Sequence, residues 1–125
     1  MLGGEVGWNL TPRLAIAAVC GNHVRWLYEG DGRAARFPNT MGTDIKAFWS
    51  TGEWSAFNSL GVMVVAWPRP GLWRVASLPL GAGVEYRSRS GLVFAATAYF
   101  VIFLGSELIP GIPWGGLSVG YAFGR

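Results

Sequence analysis

Residues 116 to 125 read GLSVGYAFGR, with a large apolar side chain at every second position. One face of an extended chain would then carry four apolar residues, namely Leu117, Val119, Tyr121 and Phe123. A period of two is typical of a β-strand whose two faces meet different environments. The end of the chain therefore predicts a strand, and the fold depends on what the remaining residues place beside it.

The composition favours contact with a membrane over contact with the cytosol. Of 125 residues, 51% are hydrophobic and 14% are charged, and this charged fraction is below the roughly 25% usual in soluble domains. The net charge of +3 comes largely from arginines scattered singly, without the clustered basic stripe of a nucleic-acid surface. We expect a single domain, membrane lipids as partners and no nucleic acid.

Residues that commonly bind metals or form cross-links are scarce. Cys20 is the single cysteine and His23 the single histidine, so an internal disulfide is impossible and soft ligands for zinc or iron are too few. We therefore expect no cofactor. The first ten residues, MLGGEVGWNL, lack a basic segment followed by an apolar one, so no export signal is visible.

The same alternation recurs along the chain, interrupted by short turn sequences. Strands are predicted over residues 4–10, 14–20, 43–50, 53–67, 72–87 and 92–104, followed by a loop around Pro110 and Pro113 and the closing strand. Proline, glycine and serine predict tight turns at 11–13, 50–52, 68–71 and 88–91. Residues 21–42 show no sustained period and are predicted to be a long loop with a short helical turn.

These segments together predict an all-β fold. Most approach the roughly 9 to 11 residues that a tilted strand needs to cross a bilayer. An antiparallel up-and-down transmembrane β-barrel of about seven to eight strands explains the alternation, because outward residues would meet lipid and inward residues a filled interior. Closure is expected because hydrocarbon cannot satisfy the backbone groups of an exposed sheet edge.

Three stretches carry a family resemblance: GWNLTPRLAI at 7–16, GVEYRSRSGLVFAATAYF at 83–100 and PWGGLSVGYAF at 113–123. In these the chain resembles the small outer-membrane β-barrel superfamily of Gram-negative bacteria, of the eight-stranded type. The resemblance implies an outer-membrane location, tight periplasmic turns and a last strand that the outer-membrane insertion machinery reads. The terminal pattern of that family is matched by Leu117, Val119, Tyr121 and Phe123, although Gly124 and Arg125 follow the aromatic residue at which the family usually stops.

The connections also predict a topology. If the C-terminus and the tight turns at 11–13, 50–52 and 88–91 lie on the periplasmic side, the longer connections at 21–42 and 105–113 lie outside. Seven strands then place the N-terminus outside as well. Family members have an even number of strands and both ends in the periplasm, so either a strand and a signal peptide precede Met1 or the count of segments is wrong.

Two sets of residues are candidates for functional positions. Aromatic residues near predicted strand ends favour interfacial girdles over the core of a soluble sandwich; they are Trp8, Trp67, Trp73, Tyr86 and Trp114. Charged residues on presumed inward faces predict a paired polar network that fills the lumen, in preference to a binding or catalytic site; they are Glu5, Asp44, Lys46, Glu85 and Arg87.

Catalysis is not expected. The lipid A deacylases, which are enzymes of the outer-membrane superfamily, use a histidine and a serine two residues apart on a late strand together with an acidic partner. This chain contains no His-x-Ser, and its single histidine falls in an early predicted loop. A nucleophilic serine needs a positioned base, so we expect no catalytic residues.

Three hypotheses of different classes remain. The favoured one is a non-enzymatic outer-membrane barrel that serves as a scaffold, presents surface loops to a partner still to be identified, or forms a very narrow pore. The second is a helical inner-membrane protein, prompted by the uncharged run at 91–106, which falls short of the roughly 20 residues that a spanning helix needs. The third is a soluble β-barrel or sandwich that binds an apolar ligand, against which both faces of residues 92–104 are apolar.

Overall fold

The computed structural model describes residues 2–22, 39–67, 73–104 and 109–124. These residues form seven β-strands and no helix, and the strands close into one barrel in chain order. The strands are β1 (Leu2–Thr11), β2 (Leu14–Asn22), β3 (Asn39–Phe48), β4 (Trp54–Trp67), β5 (Trp73–Arg87), β6 (Leu92–Leu104) and β7 (Ile109–Phe123). The prediction of an all-β barrel is confirmed.

The closing pair of strands differs from the others in direction. Each strand from β1 to β7 pairs antiparallel with the next, whereas β1 and β7 pair in parallel, from Leu2 opposite Leu117 to Trp8 opposite Phe123. Strands that alternate in direction give the first and last of an odd number the same direction. The barrel is therefore antiparallel except at the pair that closes it.

The connections between strands alternate between the two ends of the barrel. Those at residues 12–13, 49–53 and 88–91 lie at one end together with the close of β7; we call this the turn end. The connections that span residues 23–38, 68–72 and 105–108 join strands at the other end, where β1 begins. This arrangement is the one that the count of seven segments predicts.

The turn between β5 and β6 shows why glycine stands at its last position. Gly91 has φ of 94°, a left-handed conformation that residues with a Cβ rarely adopt. Its N–H donates to the Ser88 carbonyl at 3.1 Å, and the Ser88 N–H donates to the Leu92 carbonyl at 2.9 Å. An added Cβ would also collide with the Tyr121 ring, at 2.7 Å. The turn thus begins β6 in register with β5.

The strands divide sharply into a buried and an exposed face. In β1, Glu5 and Gly7 are buried while Val6 and Trp8 are exposed, and the same alternation continues through the described parts of the other strands. The inside is filled partly by apolar side chains, which include Ala15, Ala17, Val19, Phe48, Phe57, Met63, Val93, Ala95 and Val101. Filling of this kind is expected for a barrel of about eight strands, whose interior is only wide enough for side chains.

Several predicted boundaries were wrong. The expected loop around Pro110 and Pro113 lies within β7, and parts of the expected loop at 21–42 belong to the ends of β2 and β3. Among the described residues, β7 meets β1 only from Leu117 onward, so the two prolines lie where β7 has a partner on one side only. Proline lacks the N–H that a second partner would need, which makes this part of the strand suitable for it.

The helical alternative is contradicted by β6. The uncharged run that prompted it contains the strand Leu92–Leu104, which pairs with β5 and β7. In the parts of the chain that the structure describes, no helix is long and apolar enough to span a membrane. The predicted turn at 68–71, the centre of the 21–42 loop with its helical turn, and His23 all lie outside the described residues.

Candidate functional site

A lysine lies at the centre of the barrel interior, between two carboxylates from other strands. Lys46 Nζ on β3 donates to Glu5 Oε1 on β1 at 2.6 Å and to Glu85 Oε2 on β5 at 2.7 Å. All three side chains are at least 93% buried. Period-two alternation in each strand turns them inward, and closure of the sheet then brings the three strands within reach of one ammonium group.

An arginine extends this network toward the turn end. Arg87 lies two residues after Glu85 on β5 and therefore on the same face. Its Nε donates to Glu85 Oε1, and its Nη1 donates to Asn9 Oδ1 on β1. We call Glu5, Lys46, Glu85 and Arg87 the lumen charge cluster. Its two cations and two carboxylates balance, which offsets the high cost of burying an unpaired charge.

Each of the two cations lies over the face of an aromatic ring. The Arg87 guanidinium lies 4.1 Å from the centre of the Phe48 ring, and Lys46 Nζ lies 4.9 Å from the centre of the Phe57 ring. A cation over an aromatic face is attracted by the ring quadrupole, more strongly where water is excluded. The centroids of the Phe48 and Phe57 rings lie 5.8 Å apart. The charged and aromatic side chains therefore pack as one unit across the lumen.

Asp44, the fifth residue of the predicted network, lies apart from the cluster. Tyr99 Oη on β6 donates to its Oδ2 at 3.3 Å, whereas its buried Oδ1 has no hydrogen-bond partner among the described residues. Gly61, directly opposite on β4, leaves the space that this carboxyl occupies, because a Cβ there would overlap Oδ1. The structure thus brings four of the five predicted residues into direct contact and leaves Asp44 beside them.

Three polar residues that the sequence analysis did not single out complete the interior. Ser118 Oγ donates to Glu5 Oε2 at 2.8 Å, Asn9 accepts from Arg87, and Tyr99 donates to Asp44. Each lies at an inward position of its strand's alternation, so the period of two could have identified all three. Their contacts across strands follow only from the closed sheet.

The outer face of the barrel is apolar around its circumference. Exposed large apolar residues occur on β1, β3, β4, β5, β6 and β7, with relative exposures between 40% and 71%. On β7 the four predicted outward residues are exposed, namely Leu117 at 58%, Val119 at 50%, Tyr121 at 42% and Phe123 at 47%. Polar residues on this face are few, and one of them, Asn58, accepts a hydrogen bond from Trp49 Nε1 at 2.8 Å.

Aromatic rings gather at the turn end. Trp8 and Phe123 stack across the closing pair with centroids 6.0 Å apart, and Trp54 lies 5.0 Å from Tyr86. Trp49 and Trp54, both 67% exposed, were missed as girdle candidates although they flank a predicted turn. Of the predicted set, Trp8 and Tyr86 belong to this band.

For the other three predicted girdle residues, Trp67, Trp73 and Trp114, the structure describes the position of the backbone. Trp67 and Trp73 pair with each other at the end opposite the turns, which places them at the level expected of a second girdle. Trp114 pairs with Tyr99 well inside β6, away from the strand ends. The predicted set is therefore divided between the two ends and the middle of the barrel.

Comparison with known proteins adds no assignment to this geometry. No family model, no curated protein and no solved structure matches the chain. Among the described residues, no group of three or more histidine, cysteine or acidic side chains is placed to hold a metal ion. The charged side chains of the interior connect strands β1, β3 and β5 through ion pairs and fill the lumen.

Proposed function

We propose that this protein is a non-enzymatic outer-membrane β-barrel that acts as a membrane scaffold and presents its longer connections as surface loops. The observation that carries the proposal is the inverted distribution of polarity, in which the charged network is inside a closed barrel and the apolar residues are outside. A soluble domain shows the reverse distribution, whereas a lipid-facing barrel requires this one.

The size of the apolar surface supports the same proposal. Among the described residues, 21 large apolar side chains are each at least 40% exposed. Together they present on the order of 1,500 Å² of apolar surface, several times the roughly 300–600 Å² of the largest patch on a typical soluble monomer. Membrane lipid would cover such a surface around the whole barrel, whereas a single protein partner would cover one side of it.

The filled interior favours a scaffold over a wide pore. The lumen charge cluster and the Phe48 and Phe57 rings cross the lumen between four strands. A diffusing solute would have to displace paired, buried charges, which is costly. The same occupation argues against an apolar ligand inside the barrel, the alternative in which the protein is soluble.

The last strand supports assembly by the outer-membrane insertion machinery. Its outward residues Leu117, Val119, Tyr121 and Phe123 keep the alternation that the resemblance associates with recognition, and all four are exposed. The turn end, where β7 finishes, would then face the periplasm, and the longer connections would face the outside. The absence of His-x-Ser from the sequence supports a role without catalysis.

Circular dichroism in detergent and in plain buffer tests the proposal. We expect a strand spectrum only in detergent, because burial of the outer face needs an apolar phase, and a gel mobility that shifts when the folded sample is heated. A monomeric strand-rich protein in detergent-free buffer would favour the soluble alternative, and a helical spectrum in detergent would refute the barrel itself.

A further inference from the structure

A small cavity opens at the turn end of the barrel, on the far side of Arg87 from the lysine. Its volume is about 290 Å³, and it lies between the turn at residues 11–13, the connection at 49–53 and the end of β7. Ligand pockets in proteins span roughly 300–1,000 Å³, so this cavity is at the lower limit of that range and has room only for a small molecule. The proposed function assigns no role to it.

Arg87 forms the inner wall and is held rigidly there. Its bonds to Glu85 and Asn9 engage two of the five N–H donors of a guanidinium group, and Phe48 stacks on its face at 4.1 Å. The residue is only 9% exposed, and it lines the cavity. A planar cation with donors to spare, already fixed in place, loses little rotamer entropy when it binds an oxyanion.

The remaining walls combine hydroxyl groups with an apolar side. Ser50 and Ser55, whose Oγ atoms lie 3.0 Å apart, line the cavity together with Thr51. Leu10 and Pro12 supply an apolar surface. A ligand with an oxyanion at one end and a short apolar body would match both sides.

The charge around the opening favours an anion. Arg13 and Arg89 are exposed at the turn end, where Glu53 is the nearby acidic residue and lies 3.6 Å from Arg89. The charge of Arg87 is balanced within the lumen charge cluster, so the exposed residues Arg13, Arg89 and Glu53 leave a small positive surplus at the turn end. A cation that entered the cavity would meet a guanidinium at the inner wall.

We propose that this cavity binds a small organic oxyanion, a carboxylate or a phosphate monoester, anchored on Arg87. The inference does not depend on membrane insertion, because the cavity is a feature of the folded barrel end. The oxyanion comes either from a free small molecule or from the headgroup of a short phospholipid. Both sources share the oxyanion that Arg87 recognises.

Isothermal titration of the folded full chain in dodecyl maltoside, a detergent without charge or phosphate, tests the proposal. The probes are benzoate, inorganic phosphate and dihexanoyl phosphatidic acid. We expect saturable binding of at least one probe, weakened about tenfold or more in Arg87→Gln, because the variant loses the charge-assisted hydrogen bonds to the oxyanion. Tighter binding of the phosphatidic acid identifies a lipid headgroup, and tighter binding of benzoate identifies a free carboxylate.

Two further variants make the result decisive. Arg89→Gln removes the same charge at the same end but from a side chain that is 94% exposed, so binding should change less than about twofold because exposed charges are screened. Thr51→Trp fills the cavity without touching the contacts of Arg87 and should abolish binding even if Arg87→Gln fails to fold. No saturable binding by the wild type, equal losses in the two arginine variants, or full binding by Thr51→Trp would each overturn the proposal.

Discussion

At the scale of single residues, glycines determine whether charged side chains fit inside the barrel. Gly61 leaves room for the Asp44 carboxyl, and Gly120 on β7 leaves room for Glu5, whose backbone carbonyl and Cγ would meet a Cβ at that position. In a small closed barrel, neighbouring inward side chains compete for little space. The glycines opposite Asp44 and Glu5 are therefore a packing requirement, because an added side chain there would meet the acidic residue of the neighbouring strand.

A matched pair of substitutions on β7 tests this requirement. Gly120→Ala should lower the free energy of unfolding by about 1–3 kcal/mol, the usual cost of overpacking, because its Cβ would push against Glu5 across the closing pair. Gly115→Ala, where a Cβ would meet no atom within 4 Å, should be neutral. Urea titration in detergent, followed by tryptophan fluorescence, measures both. Equal stability of the two variants would contradict a packing role for Gly120.

At the scale of the element, β7 joins three different requirements in one strand. Its first part contains Pro110 and Pro113 and pairs with β6 alone among the described residues. From Leu117 onward it pairs on both sides, with its apolar residues outward and small residues inward. Asn9 Nδ2 donates to the Phe123 carbonyl at 3.0 Å and secures the end of the strand. The outward face of β7 is therefore the part that membrane assembly should depend on.

Adjacent substitutions at the end of β7 separate its two faces. Phe123→Asp places a charge on the outward face, where an acidic residue costs less than the roughly 2–4 kcal/mol of a lysine or arginine at the bilayer midplane, and less again near an interface. Ala122→Ser changes the inward face by one hydroxyl group. We expect the first to reduce assembly into membranes severalfold and the second to leave it nearly unchanged, as measured by the heat-shifted gel band. Undiminished assembly of Phe123→Asp would count against a role in insertion.

At the scale of the whole molecule, seven strands close a barrel whose interior is full. The lumen charge cluster connects β1, β3 and β5, and Ser118 on β7 joins it through Glu5. Parallel pairing of β1 with β7 places their starts at the same end of the barrel, so the short turns all lie at the other end with the close of β7. The connections at residues 23–38, 68–72 and 105–108 therefore share the end where β1 and β7 begin.

A filled lumen predicts poor conduction. In a planar bilayer, the reconstituted protein should show no large, stable unitary currents, because the paired charges and aromatic rings occupy the path that ions would take. Detergent at the same dilution provides the blank, and a porin of known conductance verifies that the bilayer records channels. Large unitary steps from the folded protein would show that the lumen is open and that the scaffold proposal is wrong.

The positions of the strands were predictable from the sequence, whereas several of their ends were not. The alternation in β1, β4 and β6 identified which residues face inward, because the two faces differ strongly in polarity. Alternation did not identify the first part of β7, where proline and glycine were interpreted as a loop. It also missed the end of β2 and the start of β3, where no apolar alternation continues. Pairing partners, which a single strand's pattern does not contain, decided those boundaries.

The candidate site was predicted as a set of residues, without its contacts. Charged residues at inward positions pointed to a lumen network, but nothing in the order of the chain indicates that Lys46 lies between Glu5 and Glu85, or that Asp44 contacts Tyr99 instead. These residues are 39 or more positions apart. Asn9 and Ser118 could have been added from alternation alone, while the cavity that Arg87 lines is formed by four separate parts of the chain.

The sequence by itself determined that the chain forms strands and which residues share a face. It also determined that the charged residues face away from the large apolar side chains. These features are readable from the sequence because a period of two is a local property of the backbone. The tertiary structure decided the rest. Closure with seven strands made β1 and β7 parallel. The same closure placed a lysine between two carboxylates that are distant in the chain, and placed an arginine at the wall of a cavity. Contacts across a barrel depend on register and shear rather than on neighbours in the chain.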